Sequence, residues 1–428
     1  MKVTCRFNRA RVAAERGHDL DLLVRLRAPA PPAREARRPV ALVPAVDVSG
    51  SMAGRKLDAV KQALERLVAH LVPGDHVGLV AFDSEVRAVV PLVEVTEARR
   101  QELRRGIARL TAGSNTNLGG GLLAAVAMLT EAHPPRGLAT RVILLTDGLA
   151  NEGPATGHDA LVELATKRAR AVSLSAFGYG ADCDQALLAD MAQAGRGSYA
   201  YIDSEDVVLG AFGRELGGLL ATYATDVVVR VVPAVGAPFE RRLGDVAWHG
   251  GAQLVVPVAV APRREEEGVE ACRVEVSWRD RDERVERLTA VARLDHVAPR
   301  AADTRDDPEV ARARDERLLR EAQERAELCA RQRDFKGARH AIEEVLAAID
   351  DPDLRAFASD SLLPSYADPT GYANKSMVRA GSLAVLRGTR VISTERSVAA
   401  AYHVVPSAAE AEMESSFRDT EPDSGTRR

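Results

Sequence analysis

Asp47, Ser49 and Ser51 stand at alternate positions in Asp47-Val48-Ser49-Gly50-Ser51-Met52, which closes a short Val-rich apolar run. This sets a carboxylate and two hydroxyls on the loop at the carboxyl end of a strand, just before a helix, where open α/β sheets bind ligands. Alone, the triplet fits an ordinary βα turn, because small polar residues and Gly fill many turns and N-caps. Two further segments carry the same kind of chemistry. Gly113-Ser114-Asn115-Thr116-Asn117-Leu118 puts a hydroxyl in a Gly-flanked loop before another helix, and Leu144-Leu145-Thr146-Asp147-Gly148 puts a second carboxylate at the end of another apolar strand. All three loops are expected to converge on one sheet edge. The donors are oxygen throughout, two acids with several neutral hydroxyls. Such a set selects a hard divalent cation and suits octahedral Mg²⁺ with waters retained; Mn²⁺ substitutes readily and Ca²⁺ less well.

The elements that must position these loops lie between Pro39 and about Thr222, where short apolar runs alternate with longer amphipathic ones, the pattern of βα units and a mostly parallel sheet. Pro39 to Asp47 reads as the first strand. Leu57, Val60, Leu64, Leu67, Val68 and Leu71 follow at helical spacing and stop at Pro73-Gly74. His76 to Phe82, Val86 to Val93 (an edge), Arg141 to Thr146 and Val172 to Phe177 read as strands. Glu97 to Leu110, Leu118 to Leu129, Ala160 to Arg170, Gln185 to Ala194 and Asp206 to Leu220 read as helices. Pro44 lies inside the first strand, where it removes a ladder donor, so a bulge is expected there. Gly119-Gly120-Gly121 is expected to allow close helix packing.

These residues resemble the von Willebrand factor type A domain with its metal-ion-dependent adhesion site. The resemblance covers about Pro39 to Thr222 and is supported by the Val77 to Asp83 strand ending in Phe-Asp and by Gly195 to Tyr201 before the final helix. It implies that Ser49, Ser51 and Thr116 are hydroxyl ligands, and that Asp47 and Asp147 are carboxylates binding the ion directly or through water. Two carboxylates leave the ion's charge partly unsatisfied, so such a site favours one more anionic oxygen, from an Asp or Glu of a protein partner. Movement of the Thr116 loop between direct and water-mediated coordination is the affinity switch that the resemblance implies.

The fold class expected for the whole chain is α/β, a doubly wound Rossmann-like domain over residues 36–222 inserted in an antiparallel β-sandwich and followed by a helical hairpin. Residues 1–35, with strands at Lys2 to Asn8 and Leu20 to Arg27, are expected to pair with residues 223–300, where β segments run without an intervening helix. Residues 301–358 read as the hairpin, Pro308 to Arg333 and Phe335 to Ile349 about a turn at Asp334, and Arg331 to Leu346 loosely resembles one tetratricopeptide unit. Residues 359–428 read as an extended or disordered tail. One of its glutamates, Glu410, Glu412 or Glu414, could reach the metal and hold the site shut until a partner competes.

Other function classes find less support. Lys and Arg total 58 against 62 Asp and Glu, a net charge of −4 that offers nucleic acid no basic excess. Only six of the 58 cations are Lys. Cys5, Cys183, Cys272 and Cys329 form no C-x-x-C, so neither a zinc cage, a RING finger nor a disulfide framework is indicated. The N-terminus lacks the apolar core of a signal peptide, and no stretch approaches the roughly 18 apolar residues of a membrane span. A soluble, cytoplasmic, bacterial protein is expected, with no membrane insertion, rather than a secreted adhesin. The phosphate loop, the G-x-S-x-G elbow and H-E-x-x-H are missing. Asp47 as a nucleophile of the haloacid dehalogenase kind would need a second acid where Ser49 stands, and His76 and His133 read as surface residues. Trp248 and Trp278 read as packing aromatics. The expected function is a non-catalytic, metal-dependent protein-interaction scaffold; the alternative is a metal-dependent hydrolase or phosphoesterase using the same carboxylates.

Overall fold

The run Val40–Asp47 is a strand buried at every position in the computed structural model, which describes residues 1–30, 38–135, 137–147, 150–168, 172–180, 183–202, 205–248, 250–280, 282, 284–368, 382, 390–393, 413 and 415. Its side chains alternate, as a pleated strand requires. Val40, Leu42 and Val46 enter one apolar cluster, and Ala41, Val43 and Ala45 enter another. Burial on both faces is what a central strand of a parallel sheet needs.

This strand belongs to the unit formed by Ala36–Ala221 with Asn374–Arg428. The sheet runs in the order Arg390–Ser393, Arg196–Ile202, Ser173–Tyr179, Ala139–Thr146, Val40–Asp47, His76–Phe82, Val86–Glu94. Neighbours are parallel except the last pair. Helices Arg55–His70, Glu97–Ala108 and Glu205–Leu220 cover one face through Leu57, Leu64, Leu103, Phe212 and Leu216. Helices Leu118–Glu131, His158–Arg168 and Gln185–Ala194 cover the other through Leu122, Leu161 and Leu188. The sheet is thus doubly wound, and Val40–Asp47 lies beside Ala139–Thr146, whose end carries Asp147, while Thr116 lies on the connection between helices Glu97–Ala108 and Leu118–Glu131. At the other end of the strands, Ser175 Oγ donates to the buried Glu215 at 2.7 Å, Ser198 Oγ also binds that carboxylate, and Arg141 Nη1 donates to Ser175 Oγ at 3.2 Å. This network ties the last helix to three strands.

Pro44 does not produce the expected bulge. Its register with Ile143 is unbroken, and pairing with His76–Phe82 keeps one offset from Leu42 to Ala45. The irregularity lies one strand over, between Val77 and Val80 where they meet Val86–Glu94. There, a Cβ on Gly78 would stand 2.4 Å from Met128 Sδ.

The second unit is Met1–Glu35 with Thr222–Ala373. An antiparallel sheet of Lys2–Phe7, His18–Arg27 and Gly251–Val260 and a five-stranded sheet of Phe239–Ala247, Thr222–Pro233, Glu266–Arg279, Val285–Val297 and Arg11–Ala13 share one core. Phe7, Leu22, Val229, Val274 and Trp278 meet there. Trp248 lies against Tyr223, ring centroids 4.7 Å apart. Pro308–Arg331 rests Val310 and Ala313 on Leu23 and Val255. Its partner Phe335–Leu346 is capped by Asp334, whose Oδ1 accepts the Gly337 N–H at 2.8 Å. The tail departs from an extended reading where it is described. Ala358–Leu362, which follows helix Pro352–Phe357, and Leu363–Ser365 are helical, Tyr366 is buried with its hydroxyl donating to Glu327 at 2.8 Å, and Arg390–Ser393 is a strand in the other unit. Glu410, Glu412 and Glu414 lie outside the described residues.

Of the three glycines opening Leu118–Glu131, Gly121 makes the closest approach across the core. A Cβ there would sit 2.4 Å from the ring of Phe82, itself fully buried. Gly121→Ala is therefore expected to destabilise the α/β unit by about 1–3 kcal/mol, read as a lower urea midpoint; an unchanged midpoint would mean the helix shifts freely on the sheet.

Candidate functional site

The carboxyl ends of three adjacent strands build the site. Asp47 ends the central strand and has no exposed surface. Its Oδ1 accepts the Ser49 N–H at 2.8 Å, which folds the loop back over the strand end, and its Oδ2 accepts the Thr146 hydroxyl at 2.5 Å. Ser49 Oγ and Ser51 Oγ lie 3.1 Å apart, and Ser51 Oγ donates to Asp147 Oδ1 at 2.7 Å. Asp147 is itself 1% exposed, and its Oδ2 accepts from Lys56 Nζ on the first turn of the following helix. Four of the five residues expected at the site thus form one hydrogen-bonded line.

Thr116, buried, joins through the backbone instead. Gly113 N–H donates to Val48 O at 2.6 Å and Gly50 N–H to Ser114 O at 2.9 Å, which clasps the Thr116 loop to the Ser49 loop. The clasp needs Gly at 113, where a Cβ would stand 1.8 Å from Asp83 Oδ2. Asp83, at the end of His76–Phe82, accepts the Glu85 N–H on Oδ1 at 2.8 Å and the Asn117 N–H on its carbonyl at 2.9 Å, setting the start of Leu118–Glu131. From the other side Asn151 Oδ1 accepts the Thr116 N–H at 2.9 Å, and the Asn151 and Glu152 N–H groups donate back to Thr116 O at 3.2 and 3.3 Å.

Burial raises the Asp47 carboxyl above the usual carboxylate range. The Thr146 and Ser49 hydrogen bonds oppose that rise and the charge of Asp147 adds to it. Two buried acids with hydroxyls beside them, one acid already carrying the Lys56 ammonium, are an all-oxygen donor set whose chemistry fits a hard cation. Among the described residues no three His, Cys, Asp or Glu side chains converge as a metal cage. Sequence reasoning missed Lys56, Thr146 as a partner of Asp47, and Asn151. Thr146 stands in the quoted Leu-Leu-Thr-Asp run, and Lys56 is one of few lysines in an Arg-rich chain; nothing local marks Asn151. His76 and His133 stand away from this line, their Nδ1 atoms bonded to the Gly74 and Glu131 carbonyls.

Residues 42–212 match the model of the von Willebrand factor type A domain. Among curated proteins, the Escherichia coli (strain K12) protein YfbK, described as uncharacterized, is 29% identical over 192 residues, 44% of this chain and 33% of that protein. Inter-alpha-trypsin inhibitor heavy chain H1 of Mesocricetus auratus is 34% identical over 148 residues, 33% of this chain and 16% of that one. The match therefore spans a third or less of either relative's length. Among solved structures, a von Willebrand factor type A protein from Catenulispora acidiphila superposes with a TM-score of 0.62 at 19% identity, covering 90% of this chain and 95% of that one. The ArnB paralog VWA2 from Sulfolobus acidocaldarius gives 0.55 at 14% identity, covering 89% and 98%. At these identities the likeness shows the fold, and it extends well beyond the α/β unit. No helix among the described residues is long and apolar enough to cross a membrane.

Thr146→Val keeps the shape of the side chain and removes a donor from a buried carboxylate. The variant is expected to lose about 1–3 kcal/mol of stability in chelator-treated protein, measured by urea unfolding; equal midpoints would show that Asp47 does not depend on that hydroxyl.

Proposed function

We propose, on the premise that residues 42–212 are a von Willebrand factor type A domain, that this chain is a non-catalytic scaffold that binds a protein partner through a divalent cation at the Asp47 edge of the sheet. The observation that carries the reading is the line Asp47–Ser49–Ser51–Asp147, in which two buried carboxylates are bridged by hydroxyls at the ends of adjacent strands. Asp47, Ser49, Ser51, Thr116 and Asp147 are the donors, and their all-oxygen chemistry selects Mg²⁺, with Mn²⁺ or Ca²⁺ as substitutes. When bound, the cation supplies positive charge and a coordination position that a partner's Asp or Glu fills.

The chain's own residues prepare that contact. Thr146 and the Ser49 amide fix the plane of the Asp47 carboxylate, Ser51 fixes that of Asp147, and Asn151 fixes the backbone of Thr116. Orientation of donors by such outer partners is what gives a metal site its affinity. We place the protein in the cytoplasm, with the sandwich and helical hairpin adding surface for assembly. Domain limits at residues 1–35 with 223–300, 36–222, 301–358 and 359–428 remain part of this proposal. The hydrolase alternative is tested by turnover of phosphoesters that Asp47→Ala abolishes.

Titration calorimetry of Mg²⁺ and Mn²⁺ into chelator-stripped full chain is expected to show one site that Ser49→Ala/Ser51→Ala removes and that Asn151→Ala weakens about 10-fold or more. Pull-downs from lysate are expected to yield a partner that chelator releases. Ion binding unaltered by the double substitution, or a partner indifferent to chelator, would refute the reading.

A further inference from the structure

Lys56 stands where the candidate site calls for positive charge. From the first turn of Arg55–His70 its Nζ donates to Asp147 Oδ2 and lies 5.9 Å from the centroid of the Tyr179 ring. The two partners differ in freedom. The Asp147 side chain is fully buried, whereas that of Lys56 is 30% exposed, so the ammonium reaches inward to an acid that cannot reach out. Gly180, at φ +81°, flanks the stem: a Cβ there would meet Nζ at 3.8 Å and Cε at 4.0 Å, ordinary contact distances.

All four carboxylate oxygens at the site have a donor without any divalent ion. Asp47 takes the Ser49 amide and the Thr146 hydroxyl, and Asp147 takes Ser51 and Lys56. Three of these donors are neutral, two on the Ser49 loop and one at the end of Ala139–Thr146. The fourth carries a full charge on a flexible stem. An ammonium and a doubly charged ion at contact distance from one buried carboxylate repel strongly, so one excludes the other. The residue type fits an exchangeable role. In a chain with six Lys and 52 Arg, composition alone would favour Arg at this position, yet a guanidinium would fork onto both oxygens of Asp147 and hold there, while an ammonium is a single point charge that can leave.

We propose that Lys56 is a built-in counter-ion that competes with the divalent cation for Asp147, holding the loops together while the site is empty of metal and withdrawing when the ion binds. The proposal rests on the metal-binding reading of the site and adds its regulation. Competition lowers the apparent ion affinity by the fraction of molecules in which Lys56 is already withdrawn. Half-saturation then moves to a higher concentration of free cation, and the emptied site keeps its shape.

The test uses full-length chain stripped with chelator, as wild type, Lys56→Met and Lys56→Arg, with MgCl₂ and MnCl₂ as titrants and thermal unfolding as a second readout. Lys56→Met is expected to bind Mg²⁺ about tenfold more tightly and Lys56→Arg more weakly than wild type. In chelator, Lys56→Met is expected to unfold at a lower temperature than wild type, with saturating Mg²⁺ closing the gap. Should Lys56→Met fail to fold, Lys56→Gln takes its place and the Arg variant stands independently. Wild type and Lys56→Met binding Mg²⁺ equally, both in an Asp47-dependent way, would overturn the counter-ion alone. No ion binding by any variant would overturn the metal reading and this proposal with it.

Discussion

A carboxylate with no exposed surface must find its compensation inside the protein, and Asp47 does so at the end of the most buried strand of the sheet. Water cannot reach it, so its two oxygens depend on the Ser49 amide and the Thr146 hydroxyl, one from its own loop and one from the neighbouring strand. Those bonds dictate the path of the loop. Ser49 has to turn back over the strand end, which brings Ser51 to Asp147 and places Gly50 against the carbonyl of Ser114. The neighbouring acid makes the arrangement electrostatically incomplete, since Asp147 pushes the Asp47 carboxyl further above its ordinary range. The Lys56 ammonium on Asp147 offsets part of that charge.

The sheet supplies the rest. Because Val40–Asp47 lies between Ala139–Thr146 and His76–Phe82, the Ser49 and Asp147 loops leave from adjacent strands. The Thr116 connection between two helices is bonded to Val48 and Asp83 at the ends of Val40–Asp47 and His76–Phe82, and helices Arg55–His70 and Leu118–Glu131 lie on opposite faces. That divergence opens the crevice in which a doubly wound sheet binds its ligand. Glycine makes the convergence sterically feasible at two points, Gly113 against Asp83 and Gly121 against Phe82. At the far end of the strands the Glu215 network fixes the last helix with buried polar bonds, so the sheet is clamped at both ends by groups that cannot be replaced singly without leaving an unpaired charge.

Much of this was legible in the sequence because it is local. The alternation of apolar runs and amphipathic stretches, the strand-end carboxylates and the Gly-flanked hydroxyl loop are each written in a few adjacent residues. The Ser49 to Asp147 link could be expected only because two strand ends were assigned to one sheet edge. What escaped is non-local or depends on backbone freedom. The bulge expected at Pro44 is absent because the ladder tolerates a missing donor without losing register, and the irregularity moved to Gly78, where a side chain would collide with Met128. Lys56 is nine residues from Asp47 and meets Asp147, 91 positions away; its only local sign is its type. Arg390–Ser393 pairs with a strand nearly two hundred residues earlier, beyond the reach of periodicity.

The proposed function requires that the oxygens of these three loops enclose a metal ion. A crystal structure of the full chain grown with Mn²⁺, with data collected for its anomalous scattering, addresses this directly. One anomalous peak bounded by Asp47, Ser49, Ser51, Thr116 and Asp147 is expected, with Lys56 Nζ moved away from Asp147. A fully ordered site with no peak there, and Lys56 still seated on Asp147 at saturating Mn²⁺, would contradict the proposed function.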